Sequence, residues 1–194
     1  FKCQDDPNEI RTSMTQYDDI DGDDMVSILL DPYGTATLAY EFFVNPYGIQ
    51  GDALWSNIGG ENEGFNLIWK SAAKITNSGY QVEMAIPFTS MRFPNKDIQT
   101  WRMDFWRFHP RDVVHRYSWS ANDRNEQCWP CQWGTIEGIK NVHPGKGIEI
   151  LPAFVGSQAG ELGYNATGDG FEFDNHDAKG ELSLNGKYSI SSDI

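Results

Sequence analysis

From residue 25 to residue 155 the chain alternates apolar and polar residues in short runs, each closed by a turn. In "TATLAYEFFV" the apolar side carries Ala36, Leu38, Tyr40, Phe42 and Val44, and in "GYQVEMAI" it carries Tyr80, Val82, Met84 and Ile86. In "WRMDFWRF" one side holds Trp101, Met103 and Phe105, while the other mixes Arg102 and Asp104 with Trp106 and Phe108. A period of two places alternate side chains on one face of a strand, whereas a helix needs 3.6. Further strands are expected in "MVSILL", "IWKSAAKI", "YSWS", "WGTIEGI" and "GIEILPAFV". Turns fall at Asp31-Pro32-Tyr33-Gly34, Asn45-Pro46-Tyr47-Gly48, Gly59-Gly60 and Asn77-Ser78-Gly79, and the single helical hint is one turn after Pro87. Many short strands with regular turns predict an all-β chain built as an antiparallel β-sandwich.

Beyond Gly156 the composition changes. Residues 156–180, rich in Gly and acids, read as a long loop. They are followed by "ELSLNGKYSI", in which Leu182, Leu184, Tyr188 and Ile190 alternate with Ser183, Asn185, Lys187 and Ser189. That alternation fits a membrane β-barrel strand and an ordinary amphipathic strand equally well.

The chain has 194 residues, 39% of them hydrophobic, with seven Trp, enough to bury a core. Its 28 acidic against 15 basic residues give a net charge of −13. Such a balance disfavours nucleic acid and anionic lipid, which need a basic face, and leaves metal cations and neutral ligands as natural partners. There is no apolar run long enough for a transmembrane helix and no visible signal peptide. The opening "FKCQDD" resembles the end of a strand and does not start with Met, so the expectation is a fragment whose upstream part lies elsewhere.

Of the three cysteines, Cys128 and Cys131 form "CWPC". This spacing is that of a thioredoxin-type redox pair, which needs a helix N-terminus to acidify its thiol. Here a strand pattern follows, so a small loop disulfide between Cys128 and Cys131 in an oxidising compartment is expected. No second ligand pair for zinc accompanies them.

Five of the seven residues from Asp18 to Asp24 are Asp. Asp19, Asp21 and Asp23 alternate, with Asp24 adjacent and Gly22 allowing a sharp turn. This is an oxygen-rich pattern suited to structural calcium, although the EF-hand spacing with its closing Glu is missing. A solvated acidic loop leading into the strand at 25–30 is the other reading.

Trp101 and Trp69 sit in strand patterns and are expected in the core. Trp55, Trp129 and Trp133 lie beside Gly, Pro, Asn or Gln. Exposed aromatic platforms stack sugar rings while groups such as Asn122 and Arg107 bond the hydroxyls; alternatively each Trp plugs one end of the sandwich. Just before Trp55, Asn45 to Gly48 form a turn and Asp52 is expected to cap a loop or help hold a cation. No G-x-S-x-G, P-loop or H-E-x-x-H motif is present. Acidic pairs are too abundant to select a glycosidase pair, and His109 and His115 read as structural.

The ordered blocks "DGDDMVSILLD", "AYEFFVNPYGIQGDA", "GYQVEMAIPFTSMRF" and "WRMDFWRFHPR" resemble the family 9 carbohydrate-binding-module-like domain of large outer-membrane proteins of Bacteroidetes and other Gram-negative bacteria. The resemblance spans residues 1–146. It implies a jelly-roll-like sandwich, often with calcium, that binds oligo- or polysaccharide without catalysis in an extracytoplasmic location. Residues 147–194 then resemble the first strands of the following outer-membrane β-barrel, the remainder of which would be a partner. In the wider group two tryptophans sandwich a terminal sugar, and the rough counterparts are Trp55 and one of Trp119, Trp129 or Trp133. The opening strands of the sandwich are missing from this chain, and the CWPC loop is a local addition. Three other functions stay open: a structural or protein-docking domain, a glycoside hydrolase accessory, and a haem-binding sandwich using Met84, Met91, Met103, His109 or His115.

Overall fold

The computed structural model describes residues 1–145 and 148–188. They fall into two compact units, one of residues 1–145 and one of residues 148–188.

The first unit carries β1 (Lys2–Gln4), β2 (Met25–Asp31), β3 (Leu38–Val44), β4 (Gln50–Ser56), β5 (Gly60–Asn62), β6 (Lys70–Thr76), β7 (Gly79–Ala85), β8 (Ile98–Pro110), β9 (Val114–Ser118) and β10 (Gly134–Lys140). The small sheet runs β1-β7-β6 and the large one β10-β8-β2-β3-β4-β5, with β9 pairing the far half of β8. All pairings are antiparallel. The expected sandwich is therefore present, and the helical turn after Pro87 is a 3₁₀ turn at Phe88–Ser90.

The two sheets share a core. Val26, Leu30, Tyr40, Phe42, Val44 and Trp101 from the large sheet meet Tyr80 and Val82 from the small one, with Trp69, Met91 and Phe93 filling between. Trp69 and Trp101 lie there as expected. Each of these strand residues occupies the even or odd set that the alternation assigns inward. A one-residue slip would turn the whole apolar set outward, so burial fixes the register.

Turn chemistry follows the sequence closely. Fully buried Asn45 accepts from the backbone N–H of Tyr47 and Ile49 at 3.0 and 2.9 Å, and Gly48 supplies the φ of +85° that closes the turn. Asp31 accepts from Tyr33, Gly34 and Ala36 in the same manner.

A second, smaller apolar cluster covers the outer face of the large sheet. Leu29, Ala39, Trp106 and Trp133 are its buried members, with Trp55, Phe108 and Trp129 packed against them.

In the second unit β11 (Ile148–Ser157) pairs with β14 (Lys179–Tyr188), and β12 (Gly160–Tyr164) pairs with β13 (Phe171–Asn175). The loop expected at 156–180 is thus largely a hairpin. Leu162 opposes Phe173, and Tyr164 stacks on Phe171 at 4.6 Å. These apolar residues alternate at period two but are diluted by Gly and acids, which hid the pattern. In the β11–β14 pair Phe154 opposes Leu182 and Pro152 opposes Leu184 on one face; Val155 opposes Glu181 and Ala153 opposes Ser183 on the other. No closed barrel is formed among the described residues. Gly147, Ser189 and Ile190, which the expected strands included, lie outside them.

Candidate functional site

The outer face of the large sheet gathers aromatic, carboxyl and guanidinium groups that the core does not use. Pleating sends Ser27 and Leu29 of β2, Ala39 and Glu41 of β3, Ala53 and Trp55 of β4, and Asp104, Trp106 and Phe108 of β8 to this side. The segment after β9 folds back toward it. Asp104 holds that segment by accepting from Ser120 N at 2.9 Å and from Trp106 Nε1 at 2.9 Å.

The CWPC segment forms a 3₁₀ turn at Pro130–Gln132, closed by the Cys128–Cys131 disulfide. It delivers Trp129 as a hub: its ring centroid lies 5.3 Å from Trp55, 5.0 Å from Trp106 and 4.9 Å from Trp133. The structure therefore brings Trp55, Trp129 and Trp133 together, as a mutually packed group and not as separate exposed platforms. Trp133 is only 4% exposed, so both of its faces are covered; Trp55 and Trp129 are half-buried.

Beneath and beside this group lies Glu41, in the middle of the sheet between Leu29 and Ala53. It is 5% exposed and takes no hydrogen bond from any described residue. Burial, reinforced by the charge of Glu61 and opposed by Arg116, pushes its carboxyl up to about 8. Ser27, its diagonal neighbour on the same face, has a buried hydroxyl with no partner among the described residues. Buried polar groups are normally satisfied, so the Ser27 hydroxyl stands out on this face beside the buried carboxyl of Glu41. Arg116 of β9 lies over Trp106, with Cζ 4.3 Å from the ring centroid. At the opposite edge Glu61 pairs with Trp55.

Arg107 is not part of this face. It sits on the other side of β8, where it pairs with Asp5 and lies 5.7 Å over the Tyr80 ring. Its partner Asp5 also accepts from Arg111 at 2.9 Å and contacts His109 Nε2 at 3.0 Å. Arg107 is thus engaged in an ion cluster on the opposite side of the sheet from Trp55, Trp129 and Trp133. Asn122 is half-buried, donates to Ser118 Oγ at 2.9 Å, and leaves a buried Oδ1 without a partner among the described residues.

The acidic stretch is not gathered into one constellation. Asp19 accepts from Thr15 at 2.7 Å, and Asp21 is exposed. Buried Asp23 accepts from Ser13 N, Ser13 Oγ and Asn45 Nδ2 at 2.9–3.0 Å. Fully buried Asp24 accepts from Arg11 N and Arg111 Nη1, both at 2.8 Å. Among the described residues the metal-ligating trio whose ligand atoms lie within 4.8 Å is Asp5, Asp24 and His109, and Arg107 and Arg111 crowd the same carboxylates. Asp52 accepts from Leu67 N at 3.0 Å and from Trp69 Nε1 at 2.7 Å, so its carboxylate ties down the loop before β6.

Met84 and Met91 line an apolar cavity of about 430 Å³ between the sheets, with Ile28, Leu30, Val82 and Trp101. No histidine lines it, and His109 is held by Asp5.

Trp119 is the tryptophan the structure leaves open. It is 62% exposed, seated edge-on against Phe105 at 5.9 Å and laid over the backbone of Gly134, where a Cβ would meet its ring at 2.1 Å. Tyr117, 55% exposed, precedes it by one strand repeat.

No family model matches the chain, and comparison with curated proteins finds no relative. Among solved structures, the chain is similar to a Bacteroides uniformis ATCC 8492 protein provisionally described as carbohydrate-binding. The TM-score is 0.51 at 16% identity, covering 66% of this chain and 67% of that one. At that identity the likeness is one of fold: a β-sandwich is shared.

Proposed function

We propose that the chain is a non-catalytic carbohydrate-binding sandwich of the family 9 module-like kind, and that the outer face of the large sheet is its glycan site. The carrying observation is the buried carboxyl of Glu41 and the buried, unpartnered hydroxyl of Ser27 on the same sheet face as half-buried Trp55 and Trp129. A sugar supplies what both lack: hydroxyls for the carboxyl and the serine, and C–H faces for the indoles. The description of the Bacteroides uniformis sandwich agrees with this reading. Affinity would be weak, ~10⁻⁵ to 10⁻³ M, since a shallow site must immobilise a flexible ligand.

The same reading sets the chain at the envelope of a Gram-negative bacterium. Support comes from the β11–β14 pair, whose strands are 10 residues long and whose β14 alternates exposed Leu182 and Leu184 with Glu181, Ser183 and Asn185. Membrane barrel strands of ~9–11 residues have that length and alternation. An isolated two-stranded ribbon is marginal in water, so further barrel strands are its natural neighbours.

A structural or protein-docking domain is the second reading, favoured by the burial of Trp133. Intrinsic tryptophan fluorescence titrated with a panel of plant and algal oligosaccharides separates the two. Saturable quenching that weakens in Glu41→Gln and Ser27→Ala supports the glycan site. A flat response in folded protein supports the structural reading.

A further inference from the structure

Resting on the glycan reading, the charge layout of the outer face carries a statement about which glycan. The chain is strongly acidic, yet from Val113 to Asn122 it contains no Asp or Glu, and this stretch holds His115, Arg116, Tyr117 and Trp119. Arg116 is exposed and makes no hydrogen bond or salt bridge with any described residue; its neighbours Arg107 and Arg111 on β8 and the turn after it are both paired with aspartates. What holds Arg116 is the Trp106 ring beneath it. Stacking orients a guanidinium and leaves its five N–H donors free at the rim.

The nearest acid, Glu41, does not neutralise it. Glu41 forms no salt bridge with Arg116, and burial pushes its carboxyl up to about 8 against the pull of that guanidinium, which favours the neutral acid at neutral pH. The negative end of the face lies elsewhere. Glu61, with Glu63 and Asp21 near it, sits beside Trp55 at the other edge of the sheet. From β9 to β5 the face crosses five strand spacings, roughly 24 Å at ~4.8 Å each. Beyond ~8 Å the remaining charges are largely screened at physiological ionic strength, so the local cation outweighs the chain-wide negative charge for a group placed against it. A densely charged polyanion would still meet Glu61, Glu63 and Asp21.

We propose that this face selects glycans bearing an isolated anionic substituent, a carboxylate or a sulfate ester, and that Arg116 is the residue that reads it. The anion takes the bidentate guanidinium at the β9 edge. The uncharged hydroxyls of the same chain lie toward Glu41 and Glu61, which fixes the direction in which the glycan runs. Exposed Tyr117 of β9 and Trp119 just beyond the strand's end, on the opposite side from Arg116, offer stacking surfaces to sugar units that continue past Arg116.

The test is a printed glycan array carrying neutral, uronate-bearing and sulfate-bearing oligosaccharides on matched backbones. It is probed with the full chain and with Arg116→Gln and Arg116→Lys, followed by titration of the best ligands. The expected result is signal concentrated on the charged glycans. Arg116→Gln should lose five- to tenfold in affinity for those alone, and Arg116→Lys should lose less, since it keeps the charge but not the fork. The carboxylate and sulfate arms identify which anion is read. Preference for the neutral counterparts, or an equal effect of Arg116→Gln on neutral and charged ligands, overturns the proposal while carbohydrate binding stands. Folded protein that retains no glycan on the array overturns both. Because Arg116 stacks on Trp106 and its loss changes that indole's surroundings, an unchanged far-ultraviolet circular dichroism spectrum and thermal midpoint verify that the variants remain folded.

Discussion

The indole Nε1–H of Trp69 donates to Oδ2 of Asp52 at 2.7 Å, inside the sandwich and 17 residues away in sequence. The same carboxylate accepts from the Tyr17 hydroxyl and from Leu67 N, so one fully buried acid ties β4 to the entry of β6 and to the acidic N-terminal segment. Asp52→Ala would take the acceptor from three donors at once, leaving Trp69 Nε1 only its longer bond to the Tyr17 hydroxyl at 3.3 Å. The expected cost is ~3 kcal/mol, with Asp52→Asn costing less because its carbonyl still accepts from the indole. Urea denaturation of the two variants checks the order. Equal costs would mean that packing, not the hydrogen bonds, sets the penalty.

Glu41 gives stability a pH dependence of definite sign. Its carboxyl is pushed from 4.5 to about 8 by burial, so between those values the folded chain keeps a proton that the unfolded chain has lost. Stability from this group is complete below pH 4.5, falls as pH rises through the window, and is gone above about 8. A displacement of that size corresponds to at most ~4–5 kcal/mol. Glu41→Gln should flatten the slope in denaturation midpoints measured across pH 5–9.

Much of the sandwich was legible because strand periodicity is local. The alternation in residues 36–44 and 80–86 assigned the inward sets correctly, and Asn45 with Gly48 announced their turn. The cover of the outer face was not legible, because it depends on a long-range return of the chain. Trp129 and Trp133 sit among Pro, Gly and Gln, a loop-like neighbourhood, and only the folded chain places them on Leu29 and Ala39. Arg107 and Arg116 look alike in sequence, yet strand parity sends them to opposite sides of the sheet, one into ion pairs and one onto Trp106. Glu41 gave no signal beyond being a carboxylate inside "YEFFV", an acid in an otherwise apolar strand. In hindsight that oddity was the available clue.

Asp23 and Asp24 bear on calcium. Both oxygens of Asp23 and Oδ2 of Asp24 already accept from Ser13, Asn45, Arg11 and Arg111, and Oδ1 of Asp24 alone has no partner among the described residues, so a cation would have to displace protein donors from three of the four oxygens. A site of ordinary extracellular affinity would add ~1 kcal/mol or more at millimolar calcium by mass action. The expected result is a thermal midpoint indifferent to calcium or EDTA, together with a loss of ~2 kcal/mol in Asn45→Ala, which removes a donor to Asp23 and two turn bonds. A clear upward shift with calcium would mean that the segment rearranges around the ion.

The Cys128–Cys131 bridge closes a ring of four residues that carries Trp129 onto Trp55 and Trp106. Loop-closure entropy for so short a ring gives ~2 kcal/mol, and its effect is local because both sulfurs lie on one turn. Reduction should therefore leave the core of Phe42, Trp69 and Trp101 intact while releasing Trp129 from its three indole neighbours. The expected signature is a red shift and altered quenching of tryptophan emission with unchanged far-ultraviolet circular dichroism. Cys128→Ser with Cys131→Ser should reproduce it without reductant. If the glycan site is the outer face, the same change weakens sugar binding, since Trp129 forms one of its walls. Emission unaltered by reduction would mean that aromatic packing alone holds the turn.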